Sequence, residues 1–339
     1  MHVESSLNND KYGFSEKLRE YLNTGDVSKF SPDEILLELD TILNDAYSLN
    51  DSEATKVAQN SLFMIYQINL TNPLSLPAQS QFNPIVCEIR SKIESSWLES
   101  EFKSSPRMAF NEENETFGDY LKSVWTGHIA SHHPLFDFLE KSASKEQLGI
   151  FLKSDSALNL IFFDLVAYTL IGSEQSTRGT ISENLWDEVG HGDNYFTHVN
   201  LYKDVLSRQD IELPSNHYID MYNEAGLAGH NAFMLGAVNR SQYYKLLGVM
   251  AMTEVLDPPQ YMKLVKGCYR LGLLTEDVHY YNEHITIDIK HGDDWLYKVI
   301  NNIVDKNPDS KSEFYQGSLL RLQTAERYYD YLLSELKKH

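Results

Sequence analysis

The stretch Tyr280-Tyr-Asn-Glu-His284-Ile-Thr-Ile-Asp288-Ile-Lys-His291 places three polar residues at i, i+4 and i+7. At about 100° per residue, that spacing keeps them within roughly 60° of one helix face. The same face continues to Tyr281 on one side and to Trp295 and Val299 on the other. Apolar ends predict that the stripe looks inward and carries two imidazoles and a carboxylate with it. Burying such groups is costly unless something pairs with them, and a metal ion is the usual partner for these donors. A solvated polar face with incidental histidines is the plainer alternative, so the rest of the chain has to decide.

The chain has 339 residues, 42% of them hydrophobic and 12% aromatic, which is ample for a packed core. A formal net charge of −20 and the lack of any Lys/Arg run exclude a phosphate-binding surface. No nucleic-acid partner is therefore expected. Cys87 and Cys268 are the two cysteines, far apart and outside any C-x-x-C pattern, which fits a reducing cytoplasmic setting without disulfides. The residues after Met1 show no basic and apolar signal pattern, and the run Leu158 to Gly172 is broken by Asp164 and too short to span a bilayer. No membrane association is expected.

Working outward, nearly every segment has helical periodicity and none alternates as a strand, which predicts an all-α fold. Residues up to about 105 suggest four helices, one opened by Ser31 with Pro32 at its first turn and another from about Asp51 to Ile68. A Pro/Ser/Asn/Gln-rich loop, Thr71 to Pro84, is expected before a further helix through Glu101. This part carries no recognisable chemistry and reads as a packing or dimerisation element, so a homodimer is expected. The polar stretch Lys103 to Thr116 is the expected boundary, dividing the chain into 1–105 and 106–339.

Beyond it, Ser144-Lys-Glu-Gln147 is a capping box opening a helix. Leu158 to Leu170 reads as one strongly apolar helix with Asp164 at its centre, a carboxylate that needs a partner. Gly190 and Gly192 flank His191, and Asp193-Asn194 follow, so a helix should end near Glu188 and another begin near Tyr195. Ten residues of straight helix span about 15 Å, too far for one site, whereas a break lets Glu188 and His198 converge. Glu188 with His191 is the competing pair. Helices are expected over His217–Val238 and Gln242–Leu256, the second ended by Pro258-Pro259, with a short helix from Pro259 to Leu271. Glu254 sits in apolar company in the last turn of the second. A long amphipathic helix from about Ser312 to Lys337 closes the chain.

The inward polar groups are then Asp164, Glu188, His198, Glu254, His284, Asp288 and His291. Imidazoles and carboxylates from several helices of a bundle are how helical proteins hold two iron or manganese ions. A mononuclear iron on His284, Asp288 and His291, and a haem on one axial histidine, are alternatives; structural zinc would call for cysteines. No P-loop, dinucleotide fingerprint or nucleophile elbow is present.

Three motifs give the chain from about Phe117 onward a resemblance to the haem-oxygenase-like diiron oxygenases. They are His133-Pro-Leu-Phe-Asp-Phe-Leu with the capped helix at Ser144, Asp187-Glu188-Val-Gly190-His-Gly192-Asp193 with His198, and His284-x3-Asp288-x2-His291 about thirty residues after Glu254. The resemblance implies a haem-oxygenase-like bundle behind an N-terminal helical extension. It implies iron ligands Glu188, His198, Glu254, His284, Asp288 and His291. The family's earliest ligand is usually a Glu on the helix matching Leu158–Leu170, where this chain offers Asp164 instead. It further implies two iron ions, O2 as co-substrate, a peroxo-diferric intermediate, a small-molecule substrate and an external electron donor. N-oxygenation of an amine, amino acid or guanidine is the expected reaction, with oxidative C–C cleavage or desaturation as the alternative within the fold. A non-enzymatic helical interaction protein is the alternative outside it. Tyr243, Tyr244, Tyr280, Tyr281, Arg240 and Arg270 are candidate pocket groups, with packing or surface roles as the plainer reading.

Overall fold

A computed structural model describes residues 13–25, 31–103 and 105–339. Among them every regular element is helical: α1 Phe14–Thr24, α2 Pro32–Tyr47, α3 Ser52–Gln67, the one-turn α4 Leu76–Gln79, α5 Pro84–Lys103, α6 Phe117–Gly127, α7 Pro134–Lys141 and α8 Lys145–Asn159. There follow α9 Phe162–Leu170, α10 Arg178–Glu188, α11 His198–Arg208, α12 Glu224–Val238, α13 Tyr243–Arg270, α14 His279–Asp293, α15 Asn301–Lys306 and α16 Lys311–Leu336. The fold is the all-α bundle expected from periodicity.

Local chemistry accounts for most boundaries. Pro32 opens α2 as expected, although the Ser31 side chain makes no capping bond. The Ser144 capping box forms with Gln147 and starts α8, as expected. The loop before α5 contains α4, capped by Ser75.

Three helices differ from expectation, and α12 is the simplest case: it begins at Glu224 and not at His217, because His217 and Tyr218 take positive φ. Leu158–Leu170 is not one helix: α8 stops at Asn159, Ile161 leaves helical geometry, and α9 restarts at Phe162. Asp164 therefore lies in the first turn of α9 and is only partly buried, so it is not the centre of a core helix. Conversely, Pro258 and Pro259 do not end a helix. α13 runs through both. Proline removes the bond to the carbonyl four residues back, here those of Glu254 and Val255. The helix survives because α13 is packed by α7, α12, α14 and α16, and tertiary packing outweighs local propensity.

α13 is the central rod of the molecule. It touches α16 so closely that a Cβ on Gly317 would overlap the Lys245 carbonyl, and one on Gly248 the Phe314 carbonyl. α14 packs along the other side of α13 and is followed by a π-helical stretch, Asp294–Ile300, whose Trp295 and Val299 are buried as the stripe predicted. The N-terminal helices join the same core through α3 against α12, where Asn231 Nδ2 donates to the Gln59 carbonyl at 2.8 Å. No helix among the described residues is long and apolar enough to cross a membrane.

Candidate metal centre

Two buried donor groups meet between α10, α11, α13 and α14: Glu188 with His198 and His284, and Glu254 with Asp288 and His291. Within each group the donor atoms lie within 4.8 Å of one another. None of the six side chains is more than 5% exposed. α14 serves both groups, His284 going to the first while Asp288 and His291, one turn on, go to the second.

The break after α10 makes the first group. Gly190 takes φ +58°, and a Cβ there would overlap the Phe196 carbonyl, so the turn closes tightly on itself. Asp193 and Thr197 then cap the short turn and α11 through Tyr195 and Asn200 backbone N–H groups. The chain reverses, and His198 Nδ1 comes to 3.0 Å from Glu188 Oε1. His191 is left in the turn at φ 55°, its side chain exposed and stacked on Trp186. It does not join the donor groups, and His198 is the imidazole that stands with Glu188.

Hydrogen bonds fix the donors from behind. His284 Nδ1 lies 2.7 Å from the Tyr280 carbonyl, so it donates there and leaves Nε2 with its lone pair free. Asn184 Nδ2 donates to Glu254 Oε1 at 3.1 Å. His291 Nε2 donates to Asp187 Oδ2 at 2.8 Å, which turns Nδ1 toward Glu254 and Asp288 at 3.6 and 3.5 Å. A carboxylate behind a histidine is a recurring support for metal ligands.

The electrostatics match. Burial drives the His284 pKa well below its usual value, keeping the ring neutral. Burial and the Glu254 charge push the Asp288 carboxyl well up. Burial would lower His291, but hydrogen bonds and charge from Asp288 and Glu254 override it and hold the ring up to about 11. The second group thus concentrates negative charge that a proton or a cation must balance. Asp288 Oδ2 is buried with no hydrogen-bond partner among the described residues, and His198 Nδ1 faces only the Glu188 carboxylate, out of hydrogen-bond alignment. Orphaned donors of this kind are expensive unless something binds them, and they fit iron ligated by nitrogen and oxygen.

Asp164 stands apart. It falls in neither donor group, and burial raises its carboxyl. The break between α8 and α9 turns that helix so that Phe162, not Asp164, faces the interior cavity beside the centre. Of the candidate pocket groups, Tyr280 lines that cavity and Tyr281 reaches its Asp155 through the hydroxyl at 3.1 Å. Tyr243 donates to the Thr169 carbonyl, and Tyr244 packs on Phe314. Arg240 donates to the Ile171 and Gly172 carbonyls, and Arg270 to those of Leu139, Glu140 and Ala143 at the end of α7. Sequence reading missed Asp187 and Asn184, which stand one and four residues before Glu188 on α10; that spacing was the available signal.

A family model described as iron-containing redox enzyme matches residues 150–326, just over half of the chain and the whole of the donor set. The chain belongs to that family, and is an oxidoreductase of the haem-oxygenase-like fold. It is similar to nitrosourea synthase of Streptomyces achromogenes subsp. streptozoticus, 28% identical over 130 residues. The match covers 36% of this chain and 26% of that enzyme.

Proposed function

We propose that the protein is a non-haem diiron oxygenase that N-oxygenates a small amine, amino acid or guanidine-type metabolite. The observation that carries this reading is the pair of buried donor groups sharing α14, each with its own carboxylate and imidazole. Glu188, His198 and His284 would hold one iron, and Glu254, Asp288 and His291 the other. When bound, two ferrous ions would supply the electrons and open coordination positions that activate O2. The chain's own residues do the rest. Tyr280 and Asp187 fix the two histidine orientations, Asn184 holds Glu254, and burial keeps bulk water from the reacting atoms. Inserting one oxygen atom from O2 into an N–H bond and releasing the other as water consumes two electrons, so turnover needs an external donor. A nitrogen-centred reaction is supported by the similarity to an enzyme whose name denotes formation of a nitroso group on a urea nitrogen.

Anaerobic Fe(II) titration should saturate at two equivalents per chain, and His284→Ala and His291→Ala should each remove about one. Incubation with O2, a reductant and a panel of amines and amino acids should give products heavier by one oxygen on nitrogen. A stoichiometry of one, or uptake indifferent to both substitutions, would end the diiron reading.

A further inference from the structure

A cavity of about 70 Å³ lies beside the centre, walled by Glu254, His284 and Asp288 on that side. At roughly 10–15 Å³ for each water-sized occupant, it holds the equivalent of about five waters, a space for a small polar group and not for an acyl chain. Its lining also brings a guanidinium, two carboxyls and an imidazole that burial keeps neutral together from four helices: Asp155 of α8, His230 of α12, Asp257 of α13 and Arg321 of α16.

These groups are incompletely used. Asp155 Oδ2 accepts from Asn159 Nδ2 at 2.9 Å and from the Tyr281 hydroxyl at 3.1 Å, while Oδ1 has no hydrogen bond among the described residues. Arg321 is 8% exposed and donates through Nε to Thr253 Oγ1 at 2.9 Å. Its terminal nitrogens make no hydrogen bond and no ion pair among the described residues. His230 is 3% exposed, and its Nδ1 has no partner among them. Asp155 and Asp257 keep partial exposure although surrounded by protein, because their free surface is the cavity wall. Burial raises both carboxyls and so holds them back from ionising beside the guanidinium. Buried charge of this kind is unfavourable by itself and favourable once a complementary ligand arrives.

We propose that this cavity is the head-group site of the substrate and takes an α-amino acid. The Arg321 fork pairs the carboxylate, and Asp155 and Asp257 hold the ammonium. The assignment rests on the reading of the adjoining donor groups as the oxidising centre only for where the rest of the substrate points. Burial, which lifts the Asp155 and Asp257 carboxyls, supports it, since a cation delivered between them relieves the cost. A simple amine would leave Arg321 without a carboxylate, and a simple acid would leave Asp155 and Asp257 without a cation.

Isothermal titration of the full chain, with and without Fe(II) under nitrogen, tests this with L-serine, L-leucine and L-ornithine. Each is compared with its decarboxylated amine (ethanolamine, 3-methylbutylamine, putrescine) and its deaminated acid (3-hydroxypropionate, 4-methylpentanoate, 5-aminopentanoate). At least one amino acid should bind tenfold or more tighter than both of its analogues. Asp155→Asn and Asp257→Asn should weaken the amino acid and the amine at least tenfold and leave the acid alone. Arg321→Gln should weaken the amino acid and the acid but not the amine, and Arg321→Lys should recover part of the loss. Circular dichroism melts verify that each variant is folded, and should Arg321→Gln not fold, the lysine variant and the aspartate pair carry the test. The proposal fails if no amino acid binds, if an amine matches its amino acid, or if every variant weakens all three ligands alike. Should amino acids bind in the stated pattern yet escape oxidation by the iron-loaded enzyme, the head-group site stands and N-oxygenation falls.

Discussion

Asp187 Oδ2 lies 2.8 Å from His291 Nε2, and the other oxygen of the same carboxylate lies 2.6 Å from Nε2 of the exposed His191. Despite burial, these two hydrogen bonds hold the Asp187 carboxyl below its ordinary range, so it is an anion behind His291. Glu188, the next residue, belongs to the other donor group, so one turn of α10 braces both halves of the centre.

Asp187→Asn should therefore loosen iron without unfolding the protein. Supporting residues of this kind are worth about 10–100-fold in metal affinity, and competition with a chelator should show a weakening in that range. His191→Ala, which removes only the outer partner, should change affinity less than about threefold. Equal retention by Asp187→Asn and the unaltered protein would refute the bracing role.

Asp164→Asn should leave Fe(II) uptake unchanged, in number and affinity, because Asp164 lies outside both donor groups. A lost equivalent of iron in the same titration would restore the earlier expectation and require α9 to rotate on metal binding.

Stability should depend on pH through Asp155. Burial lifts its carboxyl to about 6, against roughly 3.9 in an unfolded chain. Between those values the folded state holds a proton that the unfolded state has lost, so stability falls as pH rises through the window. At pH 7 and above, the ligand-free protein has lost up to about 3 kcal/mol relative to pH 3 from this group alone. Asp155→Asn should remove that slope, so its urea midpoint should exceed that of the parent at pH 7.5 and the two should converge near pH 4. A parallel pair of pH profiles would contradict this.

Gly317→Ala should destabilise by about 1–3 kcal/mol in urea unfolding, since the added methyl overlaps the Lys245 carbonyl and pries α16 from α13. Gly149→Ala, where a Cβ meets nothing, is the control and should be neutral or slightly stabilising. A neutral Gly317→Ala would mean that the two helices separate freely.

What local chemistry fixes was legible in the chain. Helical periodicity, the capping box at Ser144 and the glycine turn between Glu188 and His198 each depend on neighbours within a few residues. The stripe from His284 to His291 depends only on the pitch of one helix. From these come the all-α class and five of the grouped donors; Glu254 reads as a donor from its apolar company, and Asp164, read beside them, falls in neither group. Tertiary structure decided what longer-range packing controls. Pro258 and Pro259 carry a helix-stopping signal that four surrounding helices override. The apolar run around Asp164 hides a break that only the fit of α8 against its neighbours produces. Asp155, His230, Asp257 and Arg321 are scattered along the sequence without a shared motif, and each alone reads as a surface or core residue. Only the crossing of α8, α12, α13 and α16 turns them into one polar lining, because convergence in space leaves no periodic trace along the chain.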